Sequence, residues 1–287
     1  MLCVPTYPFP VFDIKLFNNA HVAYMDTGAG DQTILFIHGL ANYSAGWKYN
    51  IETLSKHYRC IAIDLPGNGL SENVPGPYSI TFFAHCITDF IGRLGLTNVI
   101  LAGHSMGGQI AIRALADTPG CAERLILCAP AGFEQFSEID KVLYQSSMQY
   151  MSWFSNDEYN LQETLRNSFY NFPRGAETMI GDLTAFLRRQ QSSDYKRMVD
   201  QCVLSMLNEP VFDRLKTINH PTLVMYGEMD GLIPNRILHP VSTRDIAERG
   251  VKQLPNARLT MIPQCGHFLQ WEKAAVVNEL IIEWLSK

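Results

Sequence analysis

One hydroxyl in this 287-residue chain lies where its neighbours could make it a nucleophile. Gly103-His104-Ser105-Met106-Gly107 has the pattern G-x-S-x-G, with an apolar run before it and the helix-like stretch Gln109–Asp117 after it. Strand, tight turn and helix in that order would hold Ser105 on a strained turn. Residues without Cβ on both sides let the strand and the helix approach closely. At the helix N-terminus, free N–H groups and the helix dipole favour a developing negative charge. The chemistry supported there is attack on a carbonyl through an oxyanionic intermediate.

A serine hydroxyl is a weak nucleophile without a base in reach. Of the eight histidines, His267 follows the last strand-like run, in MIPQCGHFLQWE, at the sheet edge where chemistry gathers in open α/β proteins. His21, His57, His85, His220 and His239 fall in loop or surface contexts, and His104 lies inside the elbow. The base needs an acid that holds its tautomer and stabilises the imidazolium. In YGEMDGLIP, Asp230 follows the run TLVMY and lies between serine and histidine in chain order. Glu228 is the nearby rival, but Asp230 sits in the turn proper, beside Gly231 and ahead of Pro234. The preceding strand end reads CAPAGF and carries no carboxylate.

His38-Gly39-Leu40 ends the first long apolar run, where a loop beside the elbow would contribute one oxyanion-hole amide. The expected donors are the backbone N–H groups of Leu40 and Met106. Asp64-Leu65-Pro66-Gly67-Asn68-Gly69-Leu70-Ser71 reads instead as a rigid turn.

Strands must bring these turns to one edge. Thr33–His38, Cys60–Asp64, Val99–Gly103, Leu125–Ala129, Thr222–Tyr226 and Leu259–Ile262 are short and nearly all apolar, as suits parallel strands covered on both faces. Helical patterns at Ile80–Leu94, Gln109–Asp117 and Val276–Trp284 alternate with them. An open α/β sheet follows, with Val11–Asp26 as a possible antiparallel hairpin ahead of it. From about Phe133 to Leu215 no strand-like run occurs, and the segment is too long for a structureless connection. The expected organisation is a core from residues 1–132 and 216–287, with 133–215 as a helical cap insertion.

Composition narrows the function further. With 47% hydrophobic and 18% charged residues the chain reads as an ordinary globular protein. A net charge of -5 without Lys/Arg clusters argues against a nucleic-acid surface. Seven scattered cysteines, with no C-x-x-C pair or metal-ligand spacing, predict reduced thiols and no metal. No secretory signal and no apolar stretch near the ~20 residues of a membrane span is visible, so the expected location is cytoplasmic. No oligomeric state is specified.

With these residues in place, HGL, DLPGNGLS, GHSMGG, YGEMDGLIP and CGHFLQWE stand in the order found in the α/β-hydrolase superfamily, which the chain resembles over almost its whole length. That resemblance implies a sheet of about eight mostly parallel strands with helices on both faces, a helical cap, no cofactor, and Ser105, Asp230 and His267 as the triad. Ser105 excludes the branches that use an aspartate nucleophile. CGHFLQWE and SMGG look like the carbon–carbon hydrolases of meta-ring-fission products, whereas HGLANYSAGW lacks their Gly-Pro-rich oxyanion loop. GHSMGG with HGL is closer to the carboxylesterase and monoacylglycerol-lipase-like group. The expected substrate is a small to medium acyl ester, with Trp153, Phe154, Phe169 and Phe268 as candidate pocket residues. A lactonase or perhydrolase, and a receptor that binds without turnover, are the other readings. A base with the reference histidine pKa of ~6.5 predicts a rate that falls below pH ~6.

Overall fold

Three consecutive apolar runs, TILFI, RCIAI and VILAGH, become Thr33–Ile37 (β3), Arg59–Ile63 (β4) and Val99–His104 (β5), and apart from the half-buried Arg59 every residue in them is buried. A computed structural model describes residues 6–17, 19–148, 158–189 and 192–287. Around that centre lie Val11–Lys15 (β1), His21–Asp26 (β2), Arg124–Cys128 (β6), Thr222–Gly227 (β7) and Ala257–Ile262 (β8). They form one eight-stranded sheet in the order β1-β2-β4-β3-β5-β6-β7-β8. β1 and β2 pair antiparallel, β2 runs antiparallel to β4, and every other neighbouring pair is parallel. Strands covered on both faces need no polar side, which is why their sequences do not alternate.

The helices are Lys48–Leu54 (α1), Ile80–Arg93 (α2), Met106–Asp117 (α3), Glu138–Met148 (α4), Glu158–Asn167 (α5), Ala176–Arg189 (α6), Ser192–Asn208 (α7), Thr243–Val251 (α8), Leu269–Glu272 (α9) and Ala274–Leu285 (α10). From β3 the chain moves to β4 on one side, then crosses back over β3 to β5 and continues one way to β8. Right-handed crossovers therefore put α1 on one face and α2, α3 and α8 on the other. Contacts agree: α2 packs on α3, and α1 packs on α10. Because the direction reverses at β3, the helices after β3 and β5 leave on opposite faces and open a crevice above those two strand ends.

Local chemistry sets the element ends. Ser79 caps α2 by accepting from the Phe82 amide, and Ser242 with Asp245 forms a reciprocal capping box on α8. Between β6 and β7 lie α4 to α7 and no strand among the described residues. Met179, Ile180 and Leu183 of α6 and Met198, Val199 and Cys202 of α7 are buried in the same apolar cluster as the sheet. Polar links also join these helices to the core, among them Tyr43 Oη donating to Asp182 at 2.6 Å and the Ile80 amide donating to Ser205 Oγ at 2.7 Å.

Candidate active site

Ser105 sits between β5 and α3 with φ 53° and ψ −119°, a conformation that costs a non-glycine residue roughly 1–3 kcal/mol. Backbone bonds on both sides hold it there. Its N–H donates to Cys128 O at 3.0 Å, and its carbonyl accepts from Gly108 at 2.9 Å and Ala131 at 3.0 Å. The flanking glycines are steric necessities: a Cβ on Gly103 would lie 2.4 Å from Gly107 O, and one on Gly107 would lie 2.3 Å from Ile37 O. From Val99 to Ile112 every residue is buried except Ser105, which keeps partial access to solvent. The turn thus exposes one hydroxyl on an otherwise sealed strand–helix unit.

Beside it, the turn after β3 comes so close that a Cβ on Gly39 would stand 3.2 Å from Ser105 Cβ. His38 pins this turn. Its Nδ1 donates to Gly39 O at 2.8 Å, and its Nε2 accepts from the Leu65 amide at 3.0 Å. An Nε2 that accepts from an amide must be bare, so the proton is on Nδ1. Burial lowers the pKa of this ring and keeps it neutral. The Leu40 and Met106 amides have no hydrogen-bond partner among the described residues, and Met106 opens α3. A free N–H group in each of these two adjoining turns is the kind of donor that can stabilise an oxyanion.

His267 and Asp230 meet although they come from different loops. His267 Nδ1 lies 2.8 Å from Asp230 Oδ2, with both side chains almost wholly buried. Asp230 Oδ1 accepts from the Leu232 amide at 2.8 Å and the Ile233 amide at 3.0 Å, so the turn after β7 orients the carboxylate. An acceptor at Nδ1 assigns the proton to that nitrogen and leaves Nε2 free to act as a base. Glu228 goes elsewhere: it pairs with Arg244 at 2.6 Å, with 37% of its side chain exposed.

Phe268 lies against both histidines, with ring centroids 5.0 Å from His104 and 5.7 Å from His267. Phe169 stacks on it at 5.1 Å with a 24° tilt, and both phenylalanines are buried. Trp153 and Phe154, the other candidate pocket residues, lie outside the described residues.

Two contributors had no assigned role in the sequence reading. His104 Nε2 lies 3.0 Å from His267 O, and the two rings are 4.8 Å apart. A carbonyl only accepts, so His104 is protonated on Nε2. Burial, and then the neighbouring His267, push its pKa far down. Glu272 accepts from the Gly266 amide at 2.9 Å, one residue before His267. His104 was visible only as a member of the elbow, and Glu272 only as part of CGHFLQWE; neither spacing says which backbone group it meets.

Among the described residues no helix is long and apolar enough to cross a membrane, and no group of three or more His, Cys, Asp or Glu could hold a metal ion. A family model described as alpha/beta hydrolase fold matches residues 32–274. A 2-hydroxy-6-oxononadienedioate/2-hydroxy-6-oxononatrienedioate hydrolase of Paraburkholderia phymatum is 27% identical over 278 residues, which covers 93% of this chain and 91% of that protein. Among solved structures, a probable hydrolytic enzyme from Pseudomonas aeruginosa PAO1 superposes with a TM-score of 0.82 at 23% identity, covering 98% of this chain and 96% of that one. An esterase from Exiguobacterium antarcticum superposes with a TM-score of 0.81 at 22% identity, covering 96% and 99%.

Proposed function

Since the chain belongs to the alpha/beta hydrolase fold family, we propose that it is a serine hydrolase that cleaves small to medium acyl esters, with Ser105 as nucleophile, His267 as general base and Asp230 as the acid. The observation that carries this reading is the buried His267–Asp230 hydrogen bond of 2.8 Å at the same sheet edge as a strained, solvent-accessible Ser105. In the first step His267 Nε2 takes the Ser105 proton as Oγ attacks the ester carbonyl. The Leu40 and Met106 amides stabilise the tetrahedral oxyanion. His267 returns the proton to the departing alcohol, leaving an acyl-enzyme. Water then attacks that ester with His267 again as base, and the acid product leaves Ser105 free.

Residues 133–215 act as a cap above the crevice in this proposal, and Phe169 with Phe268 forms an apolar wall for the acyl chain. The Phe268 ring beside His267, with the buried Phe169 ring stacked on it, supports that role. A second reading, carbon–carbon bond hydrolysis through the same triad, is favoured by the Paraburkholderia relative, a 2-hydroxy-6-oxononadienedioate/2-hydroxy-6-oxononatrienedioate hydrolase.

Hydrolysis of p-nitrophenyl esters from acetate to laurate, with Ser105→Ala as control, tests the proposal. Turnover abolished in the variant is the expected result, and the optimum chain length reads the pocket depth. A folded wild-type protein that ignores every ester but turns over a dienoic diketo acid would replace the ester reading with the carbon–carbon one.

A further inference from the structure

His267 is held through its backbone as well as its ring, and one of those holds runs outside the triad. Its amide donates to Ser168 O at 2.8 Å, in the connection between α5 and α6. The approach is close enough that a Cβ on Gly266 would lie 2.6 Å from both Ser168 O and Tyr170 N. Glu272, at the end of α9, spans this seam. Its Oε2 accepts from Gly266 N at 2.9 Å and Tyr170 N at 3.1 Å, and its Oε1 accepts from Asn171 N at 2.7 Å. No basic side chain pairs with Glu272 among the described residues. Three amides from two segments therefore share one carboxylate, whose charge makes each hydrogen bond stronger than a neutral one.

We propose that Glu272 is a positioning residue, which locks the loop bearing His267 to the 168–171 segment and so aims the imidazole at Ser105. The inference rests on His267 acting as the general base. The imidazole gains and loses a proton twice per turnover in that mechanism while its Nε2 must stay directed at a small target. Asp230 holds the ring at Nδ1 and His104 holds the His267 carbonyl, but neither fixes the amide side of the loop. Glu272 and Ser168 do so by gripping the amides of Gly266 and His267. The same carboxylate holds residues 170–171 next to Phe169, which stacks on Phe268. One acid thus sets both the base and the aromatic wall beside it.

Glu272→Gln preserves shape but loses the charge and one acceptor oxygen, so an NH2 group must face either the Asn171 amide or the Gly266 and Tyr170 amides, and the bonds that remain lose their charge assistance. The variant should be compared with wild type in two assays: the second-order rate of Ser105 labelling by a fluorophosphonate probe, and kcat and KM on p-nitrophenyl acetate and octanoate. Loss of aim should slow labelling and lower kcat on both esters by the same factor, ~10-fold or more, with KM unchanged within about twofold. A tie that only steadies the helices above the crevice would raise KM for octanoate and leave acetate turnover and labelling at the wild-type rate; that result overturns the proposal. Where Gln prevents folding, Glu272→Asp keeps the charge and shortens the reach, and wild-type labelling in that variant overturns the proposal equally. A folded wild-type protein that the probe does not label at Ser105 overturns the nucleophile assignment itself, and the role of Glu272 falls with it.

Discussion

At the scale of single residues, the geometry around Asp230 allows little substitution. Its carboxylate takes two backbone amides on one oxygen and His267 Nδ1–H on the other, all of them donors. Asp230→Asn would present an NH2 group to Nδ1, favour the tautomer with its proton on Nε2 and remove the base. Under the proposed mechanism kcat should fall on the order of 10⁴-fold while the fold persists, measurable as ester turnover beside an unchanged melting curve. Two glycines give an opposed pair. A Cβ on Gly107 would strike the Ile37 and His38 carbonyls at 2.3 and 2.5 Å, main-chain atoms that cannot yield. Gly107→Ala should therefore lower the melting temperature and abolish activity. Gly92 sits in α2 with nothing within 4 Å of its Cβ position. Gly92→Ala should stabilise by about 0.4–1 kcal/mol, chiefly through the unfolded chain. Thermal melts of the two variants should move in opposite directions.

Elements matter through the loops they aim. β3 and β5 are neighbours whose helices leave on opposite faces, so the turns after them face one crevice with Gly39 against Ser105. The loop after β3 continues through Tyr43, whose buried hydroxyl donates to Asp182 of α6. Burial raises the Asp182 carboxyl pKa and also raises that of the Tyr43 hydroxyl, as expected for a pair shielded from water. Tyr43→Phe leaves the carboxylate buried without this donor and should destabilise the protein by about 1–3 kcal/mol, read as a lower urea midpoint.

For the whole molecule, the pH dependence of stability follows from two buried imidazoles. His38 and His104 both have pKa values lowered by burial, so the folded protein keeps them neutral where the unfolded chain, near its reference value of about 6.5, takes up protons. Stability from these groups is complete above about pH 6.5 and is lost as the pH falls toward their folded pKa values, by up to about 1.4 kcal/mol per pH unit for each. Glu134 and Asp182, with raised carboxyl pKa values, act in the opposite sense as they take up protons. The informative measurement is thus a comparison. Urea midpoints from pH 7.5 to 5.5 should fall less steeply in His104→Gln, which keeps an N–H for His267 O and cannot be protonated. Equal slopes would remove His104 from the account.

The sheet was legible in the sequence because strand identity is written locally. Apolar runs without alternation mark β3 to β7 as covered on both faces, and Gly103 and Gly107 mark the turn between β5 and α3. The same locality gave the chain order of the candidate serine, acid and base. Side-chain pairing was a different matter. Glu228 and Asp230 are chemically alike and two residues apart; turn chemistry favoured Asp230, but the course of the loop after β7 is what turns it toward His267 and Glu228 toward Arg244 and solvent. Phe169 and Phe268 lie far apart in the chain and stack only because the α5–α6 connection returns to the loop after β8. The grip of Glu272 on Gly266, Tyr170 and Asn171, and of His104 on the His267 carbonyl, uses backbone groups that every residue possesses. Sequence determines elements through periodicity and turn chemistry, which act over a few residues. Tertiary structure decides which distant backbone group meets which side chain, because that depends on register and loop path, summed over the whole fold.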